Sequence, residues 1–178
     1  MDIGVISVRY ARALMKSATE QKTGEAVYKD MQILADCYIR VPQLRLTIDN
    51  PMLAKEKKKI LLYTACGDNA TELTKRFVSL VLSDDRENIL QFMANSYMTL
   101  YREQKNIIRG RLITATSVSS ATEQKMRQMV ESRTKGTVEF ATEVNPDIIG
   151  GFILEYDTYR MDASVKSKLK TILATLKK

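Results

Sequence analysis

At 178 residues the chain holds one domain or two small ones. A content of 44% hydrophobic and 28% charged residues supplies a core and sets the chain apart from disordered sequences. Net charge is +7, spread along the chain, with 16 basic and 13 acidic side chains in residues 1–105 and 12 and 8 in residues 106–178. A nucleic-acid binder concentrates such an excess on one face with aromatics between the charges. No uncharged apolar run approaches the ~18–20 residues of a membrane span. The opening MDIGVISVRYARAL has no apolar core of signal-peptide type and no acid-poor import leader, so a cytosolic location is expected.

Residues 5–20 predict an amphipathic helix with Val8, Ala11, Leu14, Met15 and Ala18 on one stripe and Tyr10 and Ala13 at its flank. After Gly24, Val27, Met31, Leu34 and Tyr38 repeat at helical spacing towards Pro42. A short helix, QLRLTI, follows. Asn50 suits a cap with Pro51 in the first helical position of a fourth helix, which carries Leu53, Ile60 and Leu61 and stops at Gly67. Its run Lys55-Glu56-Lys57-Lys58-Lys59 reads as a solvated face. Asn69 with Glu72, and Asp84 with Glu87, have capping-box spacing. The helices behind them carry Leu73, Phe77, Leu80 and Val81, then Ile89, Phe92, Met93 and Leu100. Short turns between these helices predict a compact bundle, with methionine as core filler.

From Lys105 the apolar period changes from 3.6 to 2. Ile108, Gly110, Leu112 and Thr114 predict a strand, Ser120 to Glu123 the start of a helix with Met126, Met129 and Val130 on one side and Gly136 at its end, and Val138, Phe140, Thr142 and Val144 a second strand. Pro146 fits a loop or the start of a strand. Gly150-Gly151 permits a bulge or a close backbone approach, and Phe152-Ile153-Leu154 a third, covered strand. Asp157-Thr158 offers turn chemistry, and Asp162 or Ser164 a helix cap. The last helix carries Val165, Leu169, Ile172, Leu173 and Leu176, a stripe expected to close the small domain, beside a solvated face of Lys166, Lys168, Lys170, Lys177 and Lys178. The fold class expected is mainly α with a small α+β part: an N-terminal six-helix bundle over residues 1–104 and a C-terminal mixed-sheet domain over 105–178, ordered β-α-β-β-α.

Catalytic machinery is missing. There is no histidine, which excludes Ser-His-Asp and Cys-His sites. Cys37 and Cys66 are far apart, form no C-x-x-C pair, and read as ordinary thiols on helices. The double glycine lacks the partners of a phosphate loop, and Asp84-Asp85 reads as capping chemistry. No catalytic residue, cofactor site or metal site is expected, which leaves binding. A helix pair holding Tyr10, Ala13 and Leu80 offers a groove for another helix if the two are neighbours; the alternative is that all three are sealed core.

The order Val144, Asn145, Pro146, Ile148, Ile149, Gly150, Gly151, Phe152, then Asp162, Ser164, Val165 and Leu169 resembles the C-terminal signature of the delta subunits of rotary ATP synthases, whose mitochondrial relative is the oligomycin-sensitivity-conferring protein. The string RYARALMKSA, the set Asn50, Pro51, Lys59 and Leu62, and the turn before Arg86 continue the likeness, so that it runs from Tyr10 to Leu173. Two places depart from the family: Asp85 stands where a glycine is usual, and Val118-Ser119 where proline-leucine is usual.

The resemblance implies a non-catalytic stator subunit of a proton-translocating ATP synthase, bacterial rather than mitochondrial, peripheral on the cytoplasmic face of the membrane and associated with it only through the complex. It implies two partners: the N-terminal helix of an alpha subunit, held by the bundle, and the b subunits of the peripheral stalk, held by the C-terminal domain. Tyr10, Ala13, Leu14 and Leu80 would line the groove, and the basic last helix and double-glycine strand would meet b. Pro146, Ile149, Gly150, Gly151, Phe152, Asp162, Ser164 and Val165 carry the signature. The competing reading is a basic adaptor for nucleic acid or an anionic membrane surface, suggested by the charge and the lysine-rich last helix.

Overall fold

A computed structural model describes residues 2–67, 69–134, 136–156 and 158–176. Helix α1 (Ile3–Glu20) begins where Asp2 accepts a hydrogen bond from the Gly4 N–H. It buries Ala11, Leu14 and Ala18, together with Ser7, whose hydroxyl donates back to the Ile3 carbonyl. Helix α2 (Gly24–Arg40) buries the predicted stripe of Val27, Met31, Leu34 and Tyr38. Helix α3 (Pro42–Ile48) opens on Pro42, at a position where a missing N–H costs nothing.

Helix α4 (Lys55–Ala65) departs from expectation. Asn50 accepts from the Met52 N–H and closes a turn around Pro51, and the helix starts only behind Ala54. Leu53 therefore precedes it, and Ile60 and Leu61 are exposed. The buried side is Lys58, Leu62 and Ala65, so the basic run is not wholly solvated. Gly67 follows at φ +92°, a left-handed conformation that glycine adopts without steric cost.

Helix α5 (Glu72–Ser83) is capped by Thr71 rather than Asn69. The choice is tertiary. The buried Asp30 carboxylate of α2 accepts from the Thr71 N–H at 2.9 Å, the Thr71 hydroxyl at 2.8 Å and the Thr74 hydroxyl at 2.7 Å. A buried negative charge is thus satisfied at a helix N-terminus, where the backbone dipoles favour it. A 3-10 turn at Glu87–Ile89 leads into α6 (Leu90–Lys105), which buries Leu90, Met93, Ala94, Tyr97, Met98 and Tyr101 and leaves Phe92 exposed. Cys66 is buried and Cys37 half-buried, both as free thiols, and burial pushes the Cys66 thiol up to about 12.

The second part is a four-stranded mixed sheet in the order β2-β1-β3-β4. Strand β1 (Ile107–Thr114) pairs in parallel with β2 (Thr137–Val144) and antiparallel with β3 (Phe152–Tyr156), which pairs antiparallel with β4 (Tyr159–Asp162). The parallel pair is joined by α7 (Ser120–Thr134), the crossover such pairs require. Ser119 accepts from the Thr122 N–H and so caps α7 one residue ahead of the expected start. Leu112, Val130, Val138 and Leu154 form the core between α7 and one sheet face, and Ile113, Ile148 and Ile153 a smaller cluster on the other. Strand β4 was not anticipated, and the expected turn residue Asp157 lies outside the described residues. The last helix, α8 (Val165–Leu176), buries none of its residues. The chain divides into two compact units, Met1–Glu103 and Gln104–Lys178: a helical bundle and a small mixed-sheet unit.

Candidate functional site

In the first unit α1 and α5 are packed neighbours. Tyr10 is half-buried, Ala13 exposed and Leu80 51% exposed. Tyr10 and Ala13 share a face of α1 by their spacing of three. On α5, Phe77, Leu80 and Asp84 follow at the spacing of one face, and the Tyr10 ring meets the first and last: edge-on to Phe77 at 6.5 Å between centroids, and by a 2.6 Å hydrogen bond from its hydroxyl to Asp84 Oδ2. Leu14, only 3% exposed, belongs to the buried side of α1. Leu80, predicted on the buried stripe of α5, stands open because Phe77, Val78, Val81 and Leu82 supply that stripe.

The turn after α5 is corrected as well. Asp84 does not cap the next helix; it ends α5 and accepts from Tyr10. Asp85 adopts φ +54°, which explains why glycine suits this place, and it pairs with Lys55 at 2.7 Å. Arg86 donates to the Tyr10 hydroxyl at 3.0 Å and lies 5.4 Å from the centre of its ring. Glu87 pairs with the buried Lys58 at 2.7 Å. All four side chains of the turn are therefore engaged, two on α1 and two on α4. The hydrogen bond to the Asp84 carboxylate, with burial second, raises the Tyr10 phenol above its usual value and keeps it protonated. Lys58 was missed in the sequence, although it stands four and seven residues before Leu62 and Ala65, on the same buried stripe.

The second unit shows what the signature does. Pro146 opens a 3-10 turn rather than a strand, and Ile149 leaves it exposed at φ +69°. Gly151 has φ +75°, and a Cβ there would collide with the Ala163 carbonyl oxygen. A Cβ on Gly150 would lie 3.1 Å from Val165 Cγ2. The Gly150 carbonyl accepts from the Val165 N–H at 3.0 Å and that of Phe152 from the Ala163 N–H at 2.9 Å. Both cap candidates act: Asp162 accepts from the Ser164 N–H and the Ser167 hydroxyl, and the buried Ser164 accepts from the Ser167 N–H. These bonds, those from Ser164 first, hold the Asp162 carboxyl down at about 2. The double glycine is a seat for the first turn of α8. Beyond it Leu169, Ile172, Leu173 and Leu176 are 45% to 78% exposed, so the stripe expected to close the domain is open. Lys177 and Lys178 lie outside the described residues.

Among the described residues no group of His, Cys, Asp and Glu could hold a metal ion, and no helix is long and apolar enough to cross a membrane. Each of the two compact units leaves apolar helix side chains open to solvent, the kind of surface that marks an interaction site. A family model described as ATP synthase delta (OSCP) subunit matches residues 6–176, and the chain belongs to that family. It is 47% identical to an ATP synthase subunit delta of Phocaeicola vulgatus, over 97% of this chain and 94% of that protein. An ATP synthase subunit delta of Parabacteroides distasonis is 41% identical over 97% of this chain and 96% of its own length. The fold is shared with a chain in the structure of the Toxoplasma gondii mitochondrial ATP synthase hexamer, at a TM-score of 0.66, 22% identity and 97% coverage of both chains. As a member of the family, the chain is a non-catalytic stator subunit of an ATP synthase.

Proposed function

We propose that the chain ties the alpha–beta catalytic head of a proton-translocating ATP synthase to the b-subunit peripheral stalk on the cytoplasmic face of the membrane, so that rotor torque drives ATP synthesis. The first unit receives the N-terminal helix of an alpha subunit on the α1–α5 surface, with Tyr10, Ala13 and Leu80 as contacts. The second receives the b subunits on α8 and the double-glycine seat. The observation that carries this reading is that each unit leaves a helix surface with apolar side chains uncovered: Leu80 in the first, and Leu169, Ile172, Leu173 and Leu176 in the second. Such surfaces hold a partner by burying apolar area and need no chemistry of their own, which is what a stator requires.

Co-purification of the chain with alpha, beta and b subunits tests the whole reading. A bundle truncated after about residue 105 should keep a peptide of the alpha N-terminus and lose b; retention of full b binding would overturn the division of labour. A bulky residue at Ala13 should weaken the alpha peptide without unfolding the chain. The competing reading, an adaptor for an anionic surface, would use the lysines beside the α8 stripe. Sedimentation with anionic vesicles at several salt concentrations separates the two, since the stator reading predicts little specific binding there.

A further inference from the structure

Tyr10 is held on both sides of its hydroxyl, donating to Asp84 at 2.6 Å and accepting from Arg86 at 3.0 Å. The Arg86 guanidinium also lies over its ring at 5.4 Å, and Phe77 meets the ring edge-on. The ring of one half-exposed tyrosine is thus oriented by α5 and the turn that follows it. A surface tyrosine without such ties samples several rotamers, and a partner packing on it must order it at a cost in entropy. Here the ordering is done before any partner arrives.

We infer that Asp84 and Arg86 are positioning residues for the alpha-helix groove: they fix Tyr10 as a preset wall and set affinity through it, without touching the bound helix. The inference rests on the groove reading above. The tie to Asp84 is exposed and the tie to Arg86 only partly buried, so their loss falls mainly on binding and little on folding.

The test titrates the full chain with a synthetic peptide of the alpha subunit's N-terminal helix by calorimetry, using wild type, Asp84→Ala, Arg86→Gln, Tyr10→Phe and the double variant Tyr10→Phe/Asp84→Ala. The three single variants should each weaken binding roughly 3- to 10-fold, the scale of one or two hydrogen bonds. Their melting temperatures should stay within about 4 °C of wild type. The double variant should bind no more weakly than Tyr10→Phe alone, because the hydroxyl through which Asp84 acts is already gone. Asp84→Ala and Arg86→Gln binding like wild type would overturn the inference and leave the groove standing. A full additional loss from Asp84→Ala in the Tyr10→Phe background would overturn it too, making Asp84 a direct contact. Failure of the wild-type chain to bind the peptide would remove the groove, and the inference with it.

Discussion

Lys58 on α4 and Glu87 at the head of the 3-10 turn form an ion pair of 2.7 Å, with side chains only 5% and 12% exposed. Coulomb attraction in such a place is strong, but so is the cost of taking both charges out of water. The pair is therefore most visible when one partner is removed. Lys58→Ala should destabilise the bundle by about 3–5 kcal/mol, because it leaves a carboxylate buried without its cation. Lys58→Met with Glu87→Leu should recover most of that loss. Urea unfolding of the two variants measures both, and a double variant as unstable as the single one would count against this account.

Asp30 is a second buried charge, satisfied by three donors on Thr71 and Thr74. Asp30→Ala should cost about 2–4 kcal/mol, since hydrogen bonds to a charged group are worth about 1.5–3 kcal/mol and the α5 cap loses its anchor as well. Hydrogen exchange should show the loss first in the amides of the opening turn of α5.

Gly150 and Gly151 differ in what they tolerate. Gly151→Ala places a methyl into the Ala163 carbonyl at a positive φ, and should cost about 2 kcal/mol or more. Gly150→Ala meets only a valine methyl at 3.1 Å, and should cost less than about 1 kcal/mol. Equal losses on denaturant unfolding would show that the seat of α8 does not depend on this geometry.

Asp162 makes the start of α8 sensitive to acid. Its folded value of about 2 lies below the ordinary 3.8, so its contribution is complete above that ordinary value and disappears as pH falls through about 2. The stability difference between wild type and Asp162→Asn should therefore shrink between pH 4 and pH 2. A difference that stayed constant over that window would remove Asp162 from the account.

On α8 itself, Leu169→Ser and Leu173→Ser alter residues 45% and 57% exposed and should change stability by no more than about 0.5 kcal/mol. The same pair should abolish co-purification of b. Retention of b would move its contact away from this stripe.

The parts legible in the sequence were those set by periodicity. The stripe Val27, Met31, Leu34 and Tyr38 predicted the buried side of α2, and the change of period after Lys105 predicted β1 and β2. What the sequence hid was set by distant partners. Asn69 and Thr71 are both competent caps, and only Asp30, 41 residues from Thr71, selects the second. Lys58 is masked by its lysine neighbours, and its role depends on Glu87, 29 residues on. The four residues of β4, YRMD, are too short to show alternation. The burial of Leu14 was legible from its place on the α1 stripe, whereas the exposure of Leu80 needed the packing to show it. For α8 the amphipathic pattern was plain, but a pattern cannot say whether its partner belongs to the same chain.

The turn Asp84-Asp85-Arg86-Glu87 has a mechanical meaning. Its side chains run to two other helices through connections that act in parallel: Tyr10 on α1, and Lys55 and Lys58 on α4. Asp84 and Arg86 both hold Tyr10, and Asp85 and Glu87 each hold a lysine of α4, so the loss of one contact leaves a second to the same helix. The corner thus fastens the end of α5 to α1 and to α4 at once, with two contacts on each side, where an unattached loop would leave all three ends free to move apart.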